Sequence, residues 1–263
     1  MGALEEFLRK HPVFTLGELK EALGGGRSVK TLYNLLQHHK RAGHIVQVDG
    51  VYCVVPPSLQ GESFVPDRFL VASKLRSDAV LSHHTALEFW GLANQIFATT
   101  YYTSARYRRP LTYQGIRYVC LLLPKSLKGK PFLSTVLSEK DGVPLRVATK
   151  ERALVECLDR PDLCGGFEEV VRCLSSFPYV DEGELWAYLE ARGKVVLFAK
   201  VGWVLETFKE QLFISDELLS KLRRCIPSSP VAIDRSFRRR KRFVCSWNIV
   251  VPISWKTSLE GGC

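Results

Sequence analysis

The side chains best suited to binding chemistry lie at helical spacing in one short segment near the N-terminus. They combine cations with hydroxyl, amide and imidazole groups on a single face, formed by Arg27, Lys30, Thr31, Asn34, His38 and Arg41. Arg, Lys and Asn present the donors and acceptors that bond base edges in the major groove of DNA. The spacing therefore predicts a DNA-binding face, on which the bases would be contacted by Lys30, Thr31, Asn34 and His38 and the phosphates by Arg27 and Arg41.

A helix over 29–41 must position these side chains. Ser28 is its expected N-cap and belongs to the same predicted DNA-contacting set, while Gly43 lies just past the last turn. The opposite, largely apolar face is predicted to consist of Val29, Leu32, Tyr33, Leu36 and Lys40. The alternative interpretation is a helix used only for protein contacts with a solvated polar face, because helix faces of this composition are common.

Two further helices are predicted before this one, and a β-hairpin after it. Residues 3–10 carry apolar side chains at helical spacing, and Thr15 with Glu18 has the spacing of a capping box that begins a second helix. Asp49-Gly50 between two β-type runs is the strongest short hairpin signal. Three helices and a hairpin follow the winged helix-turn-helix plan, in which the last helix enters the major groove and the hairpin, called the wing, lies against phosphate or minor groove.

We predict two domains in an α+β fold. Residues 1–60 would form the N-terminal winged helix-turn-helix, and residues 61–263 a larger mixed α/β C-terminal domain. In the second domain, helices are predicted over 67–76, 82–91, 149–159, 181–192, 195–208 and 216–225, and β-type runs over 97–103, 116–123, 231–233 and 243–251. Gly165-Gly166 leads into a further segment over 167–174.

One loop of the second domain interleaves basic and aromatic residues. It lies between two β-rich segments and carries Arg106, Arg108 and Arg109, flanked by Tyr102, Tyr107 and Tyr113. Such a combination can bind a nucleic-acid backbone, so the three arginines are predicted phosphate contacts. The competing interpretation is a solvated hairpin tip, because several charges on a loop are normal.

The positive charge of the chain is concentrated near its C-terminal end. The net charge is +10, yet residues 1–60 contain only 7 bases and 5 acids, whereas residues 223–263 contain 9 bases and 2 acids. A basic cluster within that end supplies five further predicted phosphate contacts, namely Arg238, Arg239, Arg240, Lys241 and Arg242. A solvated turn and a nuclear localisation signal are the alternative interpretations of this run.

Histidines and cysteines do not have the spacing of a metal site. The pairs His83-His84 and His38-His39 are adjacent on predicted helices, where neighbouring side chains point about 100° apart, which favours capping or packing over shared ligation. The 8 cysteines are scattered and include no C-x-x-C, which indicates buried thiols. We therefore expect no metal and no cofactor.

The sequence also lacks the common signatures of catalysis. It contains no G-x-x-x-x-G-K-[ST], no D-x-D, no G-x-S-x-G and no H-E-x-x-H. This favours a binding protein over an enzyme. Two alternatives stay open: a nuclease with a basic C-terminal groove, which would need metal-binding carboxylates, and a transcription regulator with a small-molecule sensor domain.

No segment of the sequence is long and apolar enough to cross a bilayer. The longest uncharged apolar run, Phe243–Trp255, has 13 residues, against roughly 20 needed for a spanning helix. The N-terminus lacks the basic and apolar regions of a secretory signal. We therefore expect no membrane association and a cytoplasmic location.

Four stretches, in this order along the chain, carry a resemblance to a known family. Residues 80–92 match a Ser-x-x-(Ser/Thr)-Ala-Leu-x-x-x-Gly-Leu helix, and residues 149–161 with Gly165-Gly166 and 168–170 match a second motif. Two more matches are residues 199–206 and the strand-like start at 230–235. The chain thereby resembles the AbiEi antitoxin family, the regulator half of AbiE-type abortive-infection toxin–antitoxin systems.

The resemblance implies a winged-helix domain that binds inverted repeats in its own promoter and represses the operon. It also implies that the larger domain counters a nucleotidyltransferase toxin encoded alongside, in the type IV manner that does not require a stable antitoxin–toxin complex. The implied partners are thus operator DNA and, functionally but without implied direct contact, that toxin. The cluster over 238–242 is denser than expected of the family.

Overall fold

The part of the chain that the structure describes folds into α-helices and three β-sheets, which confirms the predicted α+β class. Eleven α-helices and twelve strands fall within the residues described by the computed structural model, namely 2–24, 26, 28–59, 64–234 and 240–253. No helix among these residues combines the length and the hydrophobicity needed to span a bilayer.

The N-terminal elements alternate helix and strand. They are α1 (Ala3–Lys10), β1 (Val13–Thr15), α2 (Leu16–Ala22), α3 (Val29–Arg41), β2 (Ile45–Val48) and β3 (Val51–Val54). The three predicted helices and the hairpin are present, and the capping box of Thr15 and Glu18 begins α2 as expected. Strand β1 was not predicted from the sequence; it pairs antiparallel with β3, so the sheet has the order β1-β3-β2.

A small apolar core holds these elements together. It contains Phe7, Phe14, Leu19, Leu32, Leu36, Ile45 and Tyr52. The predicted apolar face of α3 is correct for Leu32 and Leu36 but wrong for Val29 and Tyr33, which are 52% and 48% exposed. The buried side of the helix extends towards Leu35 instead, which leaves Tyr33 and Lys40 on the solvent side.

A six-stranded mixed sheet follows, and one helix packs beside it. Its strands are ordered β6-β7-β5-β4-β9-β8, and β5 pairs parallel with β7 as β4 does with β9. Helix α4 contacts β5 as well as β1 and β3 of the N-terminal sheet. The elements are α4 (Arg68–Lys74), β4 (Val80–Leu81), β5 (Thr99–Ser104), β6 (Leu111–Tyr113), β7 (Ile116–Leu122), β8 (Thr135–Lys140) and β9 (Val143–Ala148).

The N-terminal elements and this sheet belong to one compact unit. This first unit comprises the described parts of Met1–Leu81, Phe97–Leu123 and Val136–Val147. Its limits do not coincide with the predicted domain boundary between residues 60 and 61. Within the first unit, an ion pair between Lys74 and Glu18 joins α4 to α2.

The second compact unit is mainly helical. It comprises the described parts of Ser82–Ile96, Pro124–Thr135 and Ala148–Cys263. Helix α6 is its centre, with every residue from Glu151 to Leu158 buried. Its helices are α5 (His83–Phe89), α6 (Lys150–Asp159), α7 (Phe167–Leu174), α8 (Glu182–Arg192), α9 (Val195–Thr207), α10 (Lys209–Leu212) and α11 (Asp216–Arg223). All of them except α7 and α10 agree with helices predicted from the sequence.

A small sheet containing part of the basic cluster completes the second unit. Its strands β10 (Val231–Ala232), β11 (Lys241–Val244) and β12 (Ile249–Pro252) have the order β10-β12-β11. The β-type run predicted over 243–251 is therefore two antiparallel strands, because a tight turn over Cys245–Trp247 reverses the chain.

Candidate functional site

Helix α3 presents the predicted polar face to solvent. The Ser28 hydroxyl oxygen caps the helix by accepting the Thr31 backbone N–H at 3.1 Å and lies 2.9 Å from the Thr31 hydroxyl. The face is exposed at Ser28, Lys30, Thr31, Asn34, His38 and Arg41. The structure therefore places six of the seven predicted contact residues on one accessible surface; the seventh, Arg27, lies outside the described residues.

Three of these side chains are available for a ligand. Lys30, Asn34 and Arg41 make no side-chain hydrogen bond or ion pair with any described part of the chain, whereas the hydroxyl of Thr31 is shared with Ser28. The His38 ring contacts the neighbouring His39 ring edge-on, at 5.9 Å between centroids. A free ammonium, amide and guanidinium at helical spacing can donate to base edges or phosphates.

The hairpin next to α3, predicted from the sequence to be a wing, reverses the chain in a two-residue turn. Asp49 and Gly50 have φ of 45° and 88°, and Val48 pairs with Val51 across this two-residue turn. Both positive φ values are those of the hairpin turn predicted from the Asp-Gly sequence. Lys40 Nζ donates to Gln47 Oε1 at 3.2 Å, which connects the last turn of α3 to β2.

The arginine loop, defined here as residues 105–110 between β5 and β6, lies beside the wing. Arg108 is joined to Asp49 by an ion pair of 2.5 Å between Nη2 and Oδ2. Arg106 and Arg109 are exposed, and Tyr107 is 58% exposed. The structure thus brings the loop to the wing, a contact that joins residues 59 positions apart. Phosphate contact by the three arginines stays a prediction.

The C-terminal basic cluster is only partly described. Arg240 and Lys241 are exposed, and Arg242 is half-buried in β11, where its Nε has no hydrogen-bond partner among the described residues. Lys241 and Arg242 were expected in a connecting segment but are the first two residues of β11. Arg238 and Arg239 lie outside the described residues.

A buried polar cluster in the second unit was not predicted from the sequence. His84 Nδ1 lies 2.8 Å from Glu88 Oε1, and His84 Nε2 lies 3.1 Å from Glu169 Oε1. Cys173 Sγ lies 3.4 Å from the same Glu169 oxygen, and one ligand atom each of His84, Glu169 and Cys173 lie within 4.8 Å of one another. These residue types can hold a metal ion.

The buried polar groups of the cluster are satisfied by hydrogen bonds to one another and to nearby backbone N–H groups. Glu169 Oε1 also accepts the backbone N–H groups of Asn94 and Gln95, at 3.1 and 2.8 Å. Burial opposes ionisation of Glu169, but its hydrogen bonds, from His84 first, lower the pKa below the usual value. Burial raises the pKa of the Cys173 thiol to about 12, which favours a protonated sulfur that donates to Glu169. We interpret the cluster as a structural network.

A second buried network surrounds Glu156. Arg152 Nε and the Tyr188 hydroxyl both donate to Glu156 Oε1 at 2.9 Å, and the His83 backbone N–H donates to Oε2 at 3.1 Å. Burial would raise the pKa of Glu156, but Arg152 and His83 lower it instead. His83 has a φ of 53°, so its backbone is strained where it meets this carboxylate. The pair His83-His84, for which the sequence favoured capping or packing over shared metal ligation, is buried at these two networks.

The fold has a counterpart among solved structures. The crystal structure of the RV2827C protein from Mycobacterium tuberculosis is similar, with a TM-score of 0.61 and 15% sequence identity over 94% of this chain and 89% of that chain. No protein-family model and no curated protein matches the chain. At this identity, the likeness is one of fold alone.

Proposed function

We propose that the chain is a DNA-binding transcriptional autorepressor that acts as the antitoxin of an AbiE-like, type IV toxin–antitoxin system. The observation that supports DNA binding is the exposed face of α3, where Lys30, Asn34 and Arg41 have no partner among the described residues and lie beside a two-residue hairpin. The antitoxin part of the proposal rests on the resemblance carried by residues 80–92, 149–161 and 199–206.

In this proposal, α3 enters the major groove, where some of its side chains contact bases and others contact the phosphate backbone of DNA. Asn34 has an amide that can bond adenine through a donor and an acceptor at once, and Lys30 can donate to guanine. Arg41, in the last turn, would contact a phosphate, and the hairpin would lie against the backbone beside the groove. Inverted repeats in the operator would be matched by paired copies of the protein.

The proposed second role is to counter a nucleotidyltransferase toxin without a required stable complex. The chain would act in the cytoplasm and need neither a metal nor a cofactor. Growth of cells that express the toxin of the neighbouring reading frame tests this role. Co-expression of the chain should restore growth, and it should do so also when Asn34 is replaced, because neutralisation and DNA reading would use different surfaces.

Binding of promoter DNA by matched variants tests the helix assignment. The Asn34→Ala variant should lose about 1–3 kcal/mol at one operator position and discriminate less at that position, whereas Arg41→Ala should weaken binding to every sequence alike. Gel-shift titration on the fragment upstream of the gene, and on fragments with single base-pair changes, measures both effects. Arg172→Ala, an exposed cation of α7 in the second unit, is the control. Wild-type affinity of both α3 variants would exclude α3 as the contact surface.

A further inference from the structure

The guanidinium of Arg108 is almost fully occupied by hydrogen bonds inside the first unit. Its Nη2 donates to Asp49 Oδ2 at 2.5 Å and to the Asp49 carbonyl oxygen at 2.9 Å, and its Nε donates to the same Oδ2 at 3.2 Å. Its Nη1 donates to the Leu75 carbonyl oxygen at 2.6 Å. These contacts use nearly all of the N–H donors of a guanidinium, which leaves little capacity for a phosphate.

The partner of Arg108 is an acid at the tip of the wing. Asp49 is the only acidic residue between positions 28 and 59, and its side chain is 57% exposed. A carboxylate on a hairpin that lies against DNA would face phosphates, and like charges brought together at an interface are strongly unfavourable. The ion pair with Arg108 neutralises this carboxylate and holds the turn from two sides, through its side chain and its backbone.

The rest of the arginine loop is held in place at its base. The two carboxylate oxygens of Asp78 accept the Ser104 hydroxyl and the Ala105 backbone N–H, each at 2.7 Å. Arg106 and Arg109 flank Arg108 within two positions and are exposed. Because successive Cα atoms are about 3.8 Å apart, the backbone of both residues lies within about 8 Å of the backbone of Arg108, the residue that contacts the wing tip.

We infer that the loop has two roles: Arg108 is a positioning residue that neutralises and orients the wing, while Arg106 and Arg109 contact the phosphates of DNA beside the segment contacted by α3. This inference rests on the proposed function and extends it to the sheet of the first unit. The partner is the backbone of double-stranded DNA, so these contacts contribute affinity without selecting a sequence.

A double-mutant cycle tests the positioning role. The Arg108→Gln variant should bind a labelled duplex from the promoter about five- to tenfold more weakly, because Asp49 is then an unpaired anion near phosphate. Asp49→Asn in the same chain should restore the affinity to within about twofold of wild type, because no charge is left to neutralise. If Arg108 contacts phosphate directly, the double variant will stay as weak as Arg108→Gln, and the positioning role is wrong.

The salt dependence of binding tests the phosphate contacts. Arg106→Gln and Arg109→Gln should each reduce the slope of log K against log salt by about 0.9, and should weaken binding to promoter and scrambled duplexes equally. The Asp49→Asn/Arg108→Gln variant should keep the wild-type slope. Arg172→Gln is the control for loss of an exposed cation. Wild-type slopes for both loop variants would overturn the inferred contacts.

Two further measurements separate the possible failures. Thermal unfolding shows whether Arg108→Gln is folded. If it is not, Arg108→Lys replaces it. The affinity of Arg108→Lys for DNA should lie between that of the wild type and the value, about five- to tenfold weaker, expected for Arg108→Gln, because the charge remains but the multiple hydrogen bonds do not. If the wild type binds DNA but the Arg108 and Asp49 variants keep its affinity and the Arg106 and Arg109 variants keep its salt dependence, this inference alone is overturned. No binding by the wild type overturns the proposed function together with it.

Discussion

At the scale of single residues, two kinds of cation surround the proposed DNA-binding surface. Lys30 and Arg41 on α3 have exposed side chains and no partner in the described chain, so they can bind a ligand without breaking any contact. Arg108 is committed to Asp49 and Leu75. Arg41 and Arg108 are therefore the same residue type with different uses, and the hydrogen bonds around each side chain distinguish them.

Buried charges are the other residue-scale feature, and they make a prediction about stability. Arg152 and Glu156 form an ion pair in the interior of the second unit, with side chains 0% and 5% exposed. Arg152→Met should lower the free energy of unfolding by about 3–5 kcal/mol, because it leaves Glu156 buried without its cation. Chemical denaturation monitored by tryptophan fluorescence measures the loss.

A surface ion pair provides the control for this experiment. Arg160 and Asp162 lie 2.7 Å apart with side chains 52% and 60% exposed. Arg160→Met should change the free energy of unfolding by about 0–1 kcal/mol, because solvent screens an exposed pair. Equal losses in the two variants would mean that burial of the Arg152 pair does not determine its contribution.

At the scale of elements, a tryptophan of the C-terminal sheet packs closely against a helix. Trp247, in the turn between β11 and β12, is fully buried, and its Nε1 donates to Glu206 Oε2 of α9 at 2.5 Å. Its ring lies against Gly202 of the same helix so closely that a Cβ at this position would overlap ring atoms. A glycine in mid-helix is normally unfavourable, so its place here is explained by the tryptophan.

Replacing this glycine should therefore destabilise the protein. Gly202→Ala should lower the free energy of unfolding by about 1–3 kcal/mol, because the added methyl group forces Trp247 out of position. In contrast, Gly17→Ala in α2 should raise it by about 0.5–1 kcal/mol, since a Cβ there meets only Thr15 at an ordinary 3.8 Å. Thermal melting of both variants checks the opposite signs, and stabilisation by Gly202→Ala would contradict the packing argument.

At the scale of the whole molecule, the excess of positive charge and the proposed base contacts fall in different parts of the chain. Residues 1–60, which contain α3 and the wing, have 7 bases and 5 acids, while residues 223–263 have 9 bases and 2 acids. Counterion release depends on the number of phosphates neutralised and carries no sequence information. We therefore expect most of the non-specific affinity to come from outside α3.

Neutralising the C-terminal cluster tests this division. Replacing all five bases of 238–242 by glutamine should reduce the salt dependence of DNA binding and weaken binding to all duplexes, without changing the preference for promoter over scrambled DNA. Competition titrations at several salt concentrations measure both quantities. A change in sequence preference would place base contacts in this cluster.

Local features of the fold could be predicted from the sequence because they depend on residues a few positions apart. The features predicted correctly are the capping box of Thr15 and Glu18, the Asp49-Gly50 turn, and helices α3 and α6. Strand β1 was missed, since its three residues form a strand only by pairing with β3. The exposure of Tyr33 was missed because helical spacing does not show which edge of the apolar face packs against the other helices and strands.

What the sequence determined by itself was therefore the polar face of α3, the hairpin beside it and the uneven charge of the chain. Only the tertiary structure decided that Arg108 meets Asp49, 59 positions away, and that His84 meets Glu169, 85 positions away. The physical reason is that helical and turn patterns follow from short-range geometry, whereas the partner of a charged side chain is determined by how distant segments pack.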